Sequence, residues 1–260
     1  MNDDDPSEER LQIRIHGDPG KPTLIYLPGL HGDWTLVTRF RLAVKEQFRF
    51  VEFTYPRTLE WSLDEYAHAI SDRLIENGIE RGWLLGESFG SQLVWPLAGH
   101  AGEFQVDGVI LAGGFGRHPM KFGVTSAKAF CAGLPLPIIT RALFFYAPFA
   151  RFRFGHSPEA LAGIREFIAR RTRLDKCAAT HRLKLIAQND PVELACKVTA
   201  PVYHLSGFWD PIVPWPMVWS WLQKNCPAYR EGRLVGMADH NVLATGTAKA
   251  AEIVGKWVNP

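Results

Sequence analysis

Residues 83–90 read Trp-Leu-Leu-Gly-Glu-Ser-Phe-Gly, and this short stretch decides the fold of the chain. It holds the pattern Gly-x-Ser-x-Gly between an apolar run with strand character and a segment with helical character. A serine at such a sharp turn has a strained backbone, and its hydroxyl points out over the sheet edge. Neighbouring chain passes close by, so small residues, Gly86 and Gly90, must flank it. Ser88 is a candidate nucleophile, and a glycine-rich turn with an idle serine is the alternative.

Two further side chains can activate this serine, whose hydroxyl is a poor nucleophile at neutral pH. Asp210 stands in the run Gly-Phe-Trp-Asp-Pro-Ile-Val-Pro, residues 207–214, just past a predicted strand. His240 follows the last predicted strand. Both positions lie at the carboxyl edge of a parallel sheet, where such sheets build their sites. The order serine, aspartate, histidine predicts His240 as the general base and Asp210 as the acid that orients it.

Rival residues for these roles are less well placed. Asp239 adjoins His240 and can hardly reach round to its ring, while Asp190 precedes a helix that it can simply cap. Glu87, inside the motif, is interpreted as tuning the local charge or bonding to nearby backbone. The other histidines are interpreted as structural, locally hydrogen-bonded or solvated: His16, His31, His68, His100, His118, His156, His181 and His204.

Apolar runs alternate with helical periodicity along the flanks of the chain, which predicts an α/β domain with a mostly parallel sheet. Strands are predicted at residues 11–16, 23–27, 48–55, 82–85, 106–112, 202–205 and 229–235. Helices are predicted from Ser62, with a capping box, to Asn77, from the serine motif to about His100, and over 215–225 and 242–257.

The alternation breaks in the middle of the chain, where helical segments and prolines dominate. We interpret residues 115–199 as a helical cap, or lid, inserted into a core domain formed by residues 1–114 and 200–260. The most apolar stretch, residues 131–152, contains three prolines and a central Arg141, so we do not expect it to span a membrane. Residues 141–184 hold ten basic against three acidic residues, which favours a solvated face. Attraction for an anionic substrate or an acidic membrane surface is the alternative.

The composition fits one large domain, or one domain with an insertion: 260 residues, 47% of them hydrophobic. The net charge of +2 is too small to imply a nucleic-acid partner. None of the four cysteines forms a C-x-x-C pair or has a histidine at metal-ligand spacing, so no metal site is expected. The acidic, polar start lacks the features of a secretory signal, and we expect a cytoplasmic protein without a transmembrane segment.

These motifs resemble those of the α/β-hydrolase superfamily over nearly the whole chain outside the cap. The family's strand–turn–helix serine motif matches residues 86–90, its G-x-x-D-x-x-V-P acid loop matches residues 207–214, and its terminal histidine matches His240. The resemblance implies the α/β-hydrolase fold, in which helices flank a mostly parallel central sheet and a helical cap is inserted.

The resemblance also implies two backbone N–H groups that bind the oxyanion formed during the reaction, and one of them belongs to Phe89. The family carries His-Gly after its third strand, whereas this chain has Pro28-Gly29 followed by residues 30–33, Leu-His-Gly-Asp. Aligning Pro28-Gly29 with the family motif makes Leu30 the second donor, which we favour because this glycine ends a predicted strand. Aligning the later His-Gly makes Asp33 the donor instead.

The activity implied is hydrolysis of a carboxylic ester with an apolar acyl or alcohol part through an acyl-enzyme, without metal or organic cofactor. Thioester hydrolysis, acyl transfer to an acceptor other than water and carbon–carbon bond hydrolysis can use the same triad. A catalytically inactive binding protein is the alternative of another class. The expected partner is a small-molecule ester, and the oligomeric state stays open. The candidate substrate-pocket residues are Phe115, Phe144, Phe145 and Trp209.

Overall fold

The computed structural model describes residues 10–100, 102–134 and 172–259. Within them, the strands are β1 Gln12–His16, β2 Thr23–Leu27, β3 Arg49–Thr54, β4 Arg81–Glu87, β5 Gln105–Ala112, β6 Val202–Gly207 and β7 Tyr229–Val235. The helices, numbered over the same residues, are α1 Thr38–Val44, α2 Leu63–Glu76, α3 Gly90–Gly99, α4 Lys121–Gly133, α5 Arg173–Gln188, α6 Val192–Lys197, α7 Trp215–Asn225, α8 Val242–Thr245 and α9 Thr247–Val258. A short 3-10 helix at Thr35–Val37 precedes α1.

The strands form a seven-stranded sheet in the order β1-β3-β2-β4-β5-β6-β7. Strand β1 runs antiparallel to β3, and the other neighbouring pairs are parallel. This arrangement confirms the predicted mostly parallel sheet. Since the carboxyl ends of parallel strands share one edge, the loops that follow β2, β4, β5, β6 and β7 meet there.

Helices cover both faces of the sheet, which explains why its central strands read as continuous apolar runs. On one face, buried side chains of α2, α3 and α7 pack against residues such as Ile25, Leu84 and Val109. On the other face, α1, α8 and α9 pack against residues such as Leu24 and Ile110. The result is a three-layer α/β/α core that holds the sheet edge rigid.

Helix α2 follows the predicted signals closely. The Ser62 hydroxyl accepts a hydrogen bond from the Glu65 N–H at 3.2 Å, and the Glu65 carboxylate accepts one from the Ser62 N–H at 2.7 Å. This reciprocal pair is the predicted capping box. The helix ends before Gly78, whose φ of +68° is a conformation that favours glycine.

Two helical features differ from the prediction. The single closing helix predicted over residues 242–257 is wrong, because the structure breaks it into α8 and α9 at Gly246. A side chain at Gly246 would lie 2.6 Å from the Val235 Cγ1 atom, so close packing fixes a glycine where the chain changes direction. Helix α1 was not predicted, since it spans two turns and buries only Phe40 and Val44.

The described parts of the predicted cap are largely helical. Helix α4 precedes residues 135–171 in the sequence, and helices α5 and α6 follow them. Helices α4 and α5 pack against each other. Residues 135–171 lie outside the described residues, and with them Phe144, Phe145 and most of the basic stretch. Within the described residues, none of the helices combines the length and the apolar character that crossing a bilayer requires.

Candidate active site

Ser88 occupies the turn between β4 and α3. Its φ is +50°, and no other residue except glycine has a positive φ in the described part of the chain. Such a conformation costs a serine about 1–3 kcal/mol and persists only where the surroundings enforce it. Here the Ser88 N–H donates to the Ala112 carbonyl at 3.1 Å, and the Ser91 hydroxyl donates to the Ser88 carbonyl at 2.6 Å. The turn therefore presents the Ser88 side chain at the carboxyl edge of the sheet.

The glycines on either side of Ser88 are required by close approach of neighbouring chain. A Cβ atom at Gly90 would lie 2.0 Å from the Leu27 carbonyl oxygen, and one at Gly86 would lie 2.8 Å from the Val94 Cγ2 atom. Real Cβ atoms do not approach backbone or packed side chains so closely. The Gly-x-Ser-x-Gly spacing is thus a steric condition for this turn.

Three side chains from distant parts of the sequence form one hydrogen-bonded chain at this edge. The Ser88 Oγ lies 2.9 Å from the His240 Nε2, and the His240 Nδ1 lies 2.8 Å from Asp210 Oδ2. A carboxylate only accepts hydrogen bonds, so the neutral imidazole carries its proton on Nδ1 and accepts the serine proton at Nε2. The structure therefore brings together the three residues that the sequence singled out.

The carboxylate of Asp210 is held in place by its own loop. Its side chain is fully buried, and its Oδ1 accepts hydrogen bonds from the N–H groups of Ile212 and Val213 at 2.8 and 2.9 Å. The second oxygen, Oδ2, is left for His240. This arrangement fixes the carboxylate in one orientation towards the imidazole.

The loop that carries His240 packs tightly against two other loops of the same edge. A Cβ atom at Gly207 would lie 2.1 Å from the Asp239 carbonyl oxygen, and one at Gly113 would lie 2.5 Å from that of His240. Gly113 also has a φ of +54°. The imidazole is therefore positioned by backbone contacts from the ends of β5 and β6.

Electrostatics around the imidazole favour its protonated form. Burial by itself lowers the pKa of His240, but the hydrogen bond and negative charge of Asp210, with the charges of Glu87 and Asp239, raise that pKa overall. A base with a raised pKa accepts a proton more readily, which is what activating a serine requires.

Glu87 lies directly beneath the turn and is 2% exposed. Its Oε2 accepts a 2.5 Å hydrogen bond from the Tyr26 hydroxyl. Burial raises the pKa of Glu87, and the Tyr26 hydrogen bond and the charge of His240 offset this only in part. Glu87 therefore hydrogen-bonds to a tyrosine on β2, and its negative charge raises the pKa of His240 without direct contact.

The loop after β2 lies beside Ser88. Its residues 29–32 form a turn in which the Gly32 N–H donates to the Gly29 carbonyl at 3.0 Å. Leu30 lines the same pocket as Ser88, whereas Asp33 is not among the lining residues. The Asp33 carboxylate instead accepts a hydrogen bond from the Thr35 N–H at 2.8 Å. Of the two alternative oxyanion donors, Leu30 is the one beside the serine.

A pocket of about 350 Å³ opens above the serine. Its lining is largely apolar, with Val124 and Ala127 from α4 and Leu183 and Ile186 from α5. Phe115, a candidate pocket residue, contributes to this lining. Trp209, another candidate, lies outside it and is 56% exposed, with its ring against that of Phe208.

Two polar residues near the site were not singled out by the sequence. His118 lines the pocket and is 7% exposed, so it is not the solvated side chain that was one of the expected alternatives. Its position a few residues beyond the end of β5, at the carboxyl edge, was an available signal. Arg182 on α5 is buried against the loop of Leu30, and no sequence pattern indicates that contact.

No group of three or more histidine, cysteine, aspartate or glutamate side chains that could hold a metal occurs in the described residues. Ser88, His240 and Asp210 together offer a hydroxyl, an imidazole and a carboxylate, a set of groups that can support nucleophilic chemistry without a metal.

Comparison with known proteins gives matches at the level of structure. No protein-family model matches the sequence, and a search of curated proteins finds no match. The enol-lactonase from Burkholderia xenovorans LB400 superposes with a TM-score of 0.79 at 16% identity, over 96% of each chain. An esterase from Exiguobacterium antarcticum gives a TM-score of 0.78 at 15% identity, also over 96% of each chain.

A third similar structure is that of a protein described as an α/β-hydrolase. An alpha/beta hydrolase enzyme from a Medee basin deep-sea metagenome library gives a TM-score of 0.75 at 12% identity, over 95% of this chain and 92% of that chain. Sequence identities this low establish the fold and leave the activity open. The chain therefore has the α/β-hydrolase fold.

Proposed function

We propose that this protein is a serine hydrolase that cleaves carboxylic esters with an apolar acyl or alcohol part through an acyl-enzyme intermediate. The observation that carries the proposal is the hydrogen-bonded chain from Ser88 through His240 to Asp210, with distances of 2.9 and 2.8 Å. The strained backbone of Ser88 supports it, because such strain clusters at functional sites. The esterase and the enol-lactonase with the same fold agree with it.

The proposed reaction has two halves. In the first, Ser88 Oγ attacks the ester carbonyl carbon while His240 Nε2 takes the hydroxyl proton. The bond to the alcohol oxygen then breaks, and His240 gives that proton to the departing alcohol. In the second half, His240 takes a proton from water as it attacks the acyl-enzyme, and returns it to Ser88 as the acid leaves. Asp210 stabilises the imidazolium in both halves.

The oxyanion formed in each half needs hydrogen-bond donors. We assign this role to the backbone N–H groups of Phe89, which starts the turn into α3, and Leu30, which lines the pocket beside Ser88. Asp33 is the poorer choice because its loop position lies outside the pocket lining. Losing one such donor typically costs about 3 kcal/mol of transition-state stabilisation.

The pocket supports an apolar substrate part. Side chains of α4 and α5 form one wall, and both helices belong to the region 115–199 that we propose as the cap on the core formed by residues 1–114 and 200–260. Apolar lining of this kind buries hydrocarbon and leaves the polar ester group at the serine. The proposed chemistry uses this chain's own residues, a small-molecule ester and water.

A fluorophosphonate probe tests the proposal, since it labels activated serines covalently. We expect labelling of the wild type, loss of labelling in Ser88→Ala, and retained labelling in Ser220→Ala, which removes an exposed hydroxyl on α7. Failure of a folded wild-type sample to label would favour an inactive binding protein instead.

A panel of substrates distinguishes ester hydrolysis from the other reactions that the same triad can catalyse. Acetyl, butanoyl, octanoyl and dodecanoyl groups are each offered as the p-nitrophenyl ester and as a matched thioester. The proposal expects ester turnover with a preference for butanoyl or longer chains. Turnover of thioesters alone, or of neither class despite labelling of Ser88, would point to thioester hydrolysis, acyl transfer or carbon–carbon bond hydrolysis.

A further inference from the structure

His118 stands on the loop after β5 and faces the same pocket as Ser88 and His240. Its side chain is more than nine-tenths buried, with 7% exposed. Its ring contacts that of Phe115 edge-on, with centroids 4.7 Å apart and an interplanar angle of 81°. A polar ring in this position is part of the pocket wall.

Hydrogen bonding fixes which nitrogen of His118 carries the proton. The Nδ1 atom accepts a hydrogen bond from the Met120 N–H at 3.1 Å, so the proton of the neutral ring lies on Nε2. Burial, with a smaller contribution from the charge of His240, lowers the pKa of His118 to about 4. The ring is therefore neutral near pH 7, and its Nε2 is a hydrogen-bond donor.

This donor has no acceptor within the described part of the chain. The contrast with His204, on β6, is direct: its Nε2 donates to the Gly114 carbonyl at 3.0 Å, and its Nδ1 accepts from the Trp219 indole at 2.9 Å. Both nitrogens of His204 are thus satisfied by the protein, whereas His118 keeps one donor for another group. The Nε2 atom is not closed off in the protein interior, and a substrate oxygen in the pocket can reach it.

The loop that carries His118 is held rigidly. The side-chain amide of Gln92, on α3, donates to the carbonyl oxygens of Phe115 and Gly116 at 2.9 and 3.0 Å. The Asn189 amide donates to the Gln92 Oε1 at 2.9 Å and so connects this clamp to the end of α5. A binding group on so constrained a loop loses little freedom when a ligand binds.

The charge of the pocket indicates which acceptor suits this donor. The lining residues that the structure describes include no lysine or arginine, while the carboxylate of Glu87 is among them and that of Asp210 lies behind His240. Among these described residues an anionic group would meet negative charge and no permanently charged cation, since the imidazole of His240 must be neutral to act as the base. An uncharged oxygen, such as a ketone carbonyl, can accept the hydrogen bond of His118 Nε2–H and is not repelled by the negative charge of the pocket.

We propose that His118 is a specificity-determining residue whose Nε2–H donates a hydrogen bond to an uncharged carbonyl oxygen in the acyl chain of the substrate, away from the scissile ester. This inference rests on the proposed function and narrows it from apolar esters to oxo-acyl esters. The inference places the acyl chain, rather than the alcohol, against the apolar wall of α4 and α5, in the pocket that this wall shares with His118.

The test compares p-nitrophenyl heptanoate with its 4-oxo, 5-oxo and 6-oxo analogues, which replace one methylene by a carbonyl group. The readout is the ratio of kcat/KM for each oxo ester to that for heptanoate, taken within one protein sample. We expect at least one ratio of about ten or more in the wild type, since a site with a waiting donor rejects analogues that lack the acceptor. The ratio should fall towards one in His118→Phe and be kept in part by His118→Gln, whose amide can still donate.

A wild-type ratio near one for all three oxo esters would overturn the inference, and so would an undiminished ratio in His118→Phe. His68→Gln, at an exposed histidine on α2 outside the pocket, is the matched control and should keep the wild-type ratio. Turnover of heptanoate without any oxo preference contradicts only the role of His118. Absence of all ester turnover, with no fluorophosphonate labelling of Ser88, contradicts the proposed function and the inference together.

Discussion

The guanidinium of Arg182 on α5 donates a 3.0 Å hydrogen bond to the carbonyl oxygen of Leu30, in the loop beside Ser88. A second bond, of 3.2 Å, reaches the Pro56 carbonyl in the loop after β3. Only 2% of the side chain is exposed, and the guanidinium lies 5.3 Å from the centre of the Tyr55 ring. One buried cation thus connects a helix of the proposed cap to two loops of the core edge.

Replacing Arg182 by methionine should weaken both the fold and the site. The change keeps much of the side-chain volume but leaves the buried bond to Pro56 and the partly buried bond to Leu30 unmade, and a buried group without its partner costs about 1–3 kcal/mol. We expect the free energy of unfolding to fall by about 2–4 kcal/mol in urea titrations. We also expect kcat to fall more than KM rises, because the loop of Leu30 loses its anchor.

Arg173→Met is the matched control, since Arg173 is an exposed residue at the start of the same helix. It should change unfolding by less than about 0.5 kcal/mol. Equal unfolding midpoints and equal kcat in Arg182→Met and in the wild type would show that this contact positions nothing.

Local signals in the sequence were sufficient for some features and insufficient for others. The turn at Ser88 was predictable because it requires glycine at the positions two before and two after the serine. The strands were predictable because burial on both faces of the sheet makes them continuously apolar. The contact between Arg182 and Leu30 spans 152 residues. No periodicity encodes such a contact, and arginine is most often exposed, so only the folded chain shows it.

Around Ser88, too, some features were predictable from the sequence and others depend on the folded chain. The expected chain order placed Asp210 and His240 at the correct edge, but their separation from the serine depends on how β5, β6 and β7 pair. Trp209 is a predicted pocket residue because it lies near a predicted site loop, yet its ring packs on Phe208 at the surface. Adjacency along a loop does not fix the direction in which a side chain points.

Gly90→Ala should disrupt the turn at Ser88. The added methyl group would lie 2.0 Å from the Leu27 carbonyl oxygen and 2.9 Å from that of Pro28, both of which are backbone atoms that cannot rotate away. We expect a loss of at least about 2 kcal/mol in the free energy of unfolding, together with loss of fluorophosphonate labelling. Thermal melts and labelling rates measure the two effects.

The control for this change is Gly102→Ala, where nothing lies within 4 Å of the added Cβ atom. It should melt within about 2 °C of the wild type or slightly higher, since alanine restricts the unfolded chain. A Gly90→Ala protein that melts and labels like the wild type would mean that the turn has room that the structure does not show.

Asp210→Asn should separate binding from turnover. The asparagine is nearly isosteric, but it no longer supplies the negative charge that stabilises the imidazolium, and its amide can hold His240 in the wrong tautomer. We expect kcat to fall by about 10⁴-fold with KM changed only a few-fold. A kcat within tenfold of the wild type would remove Asp210 from the proposed mechanism and direct attention to Asp239.

Glu87→Gln should move the pH profile of the proposed reaction. The base must be neutral to act, so kcat/KM falls with decreasing pH through the pKa of His240, and the charge of Glu87 contributes to raising that pKa. Removing the charge should therefore shift the acid limb to lower pH, while glutamine still accepts the hydrogen bond of Tyr26. Profiles of kcat/KM between pH 5 and 9, with exposed Glu60→Gln as control, measure the shift. An unmoved or upward-shifted limb would contradict the electrostatic role of Glu87.

His204 should make the fold sensitive to acid. It is fully buried between the Gly114 carbonyl and the Trp219 indole, and burial lowers its pKa to about 4. The unfolded chain binds this proton near pH 6.5 and the native state only near pH 4, so stability is lost as the pH falls through that window. The loss approaches about 3 kcal/mol at its lower end. Above pH 6.5 neither state binds the proton, and this contribution no longer changes with pH.

His204→Gln tests this, since glutamine can donate and accept hydrogen bonds but does not titrate. Urea midpoints of both proteins are compared at pH 7 and pH 5. The wild type should lose more stability between the two values than the variant, and the remaining slope of the variant should include His118, whose pKa is also lowered to about 4. Equal losses in the two proteins would mean that the native state takes up the proton at His204 as easily as the unfolded chain does.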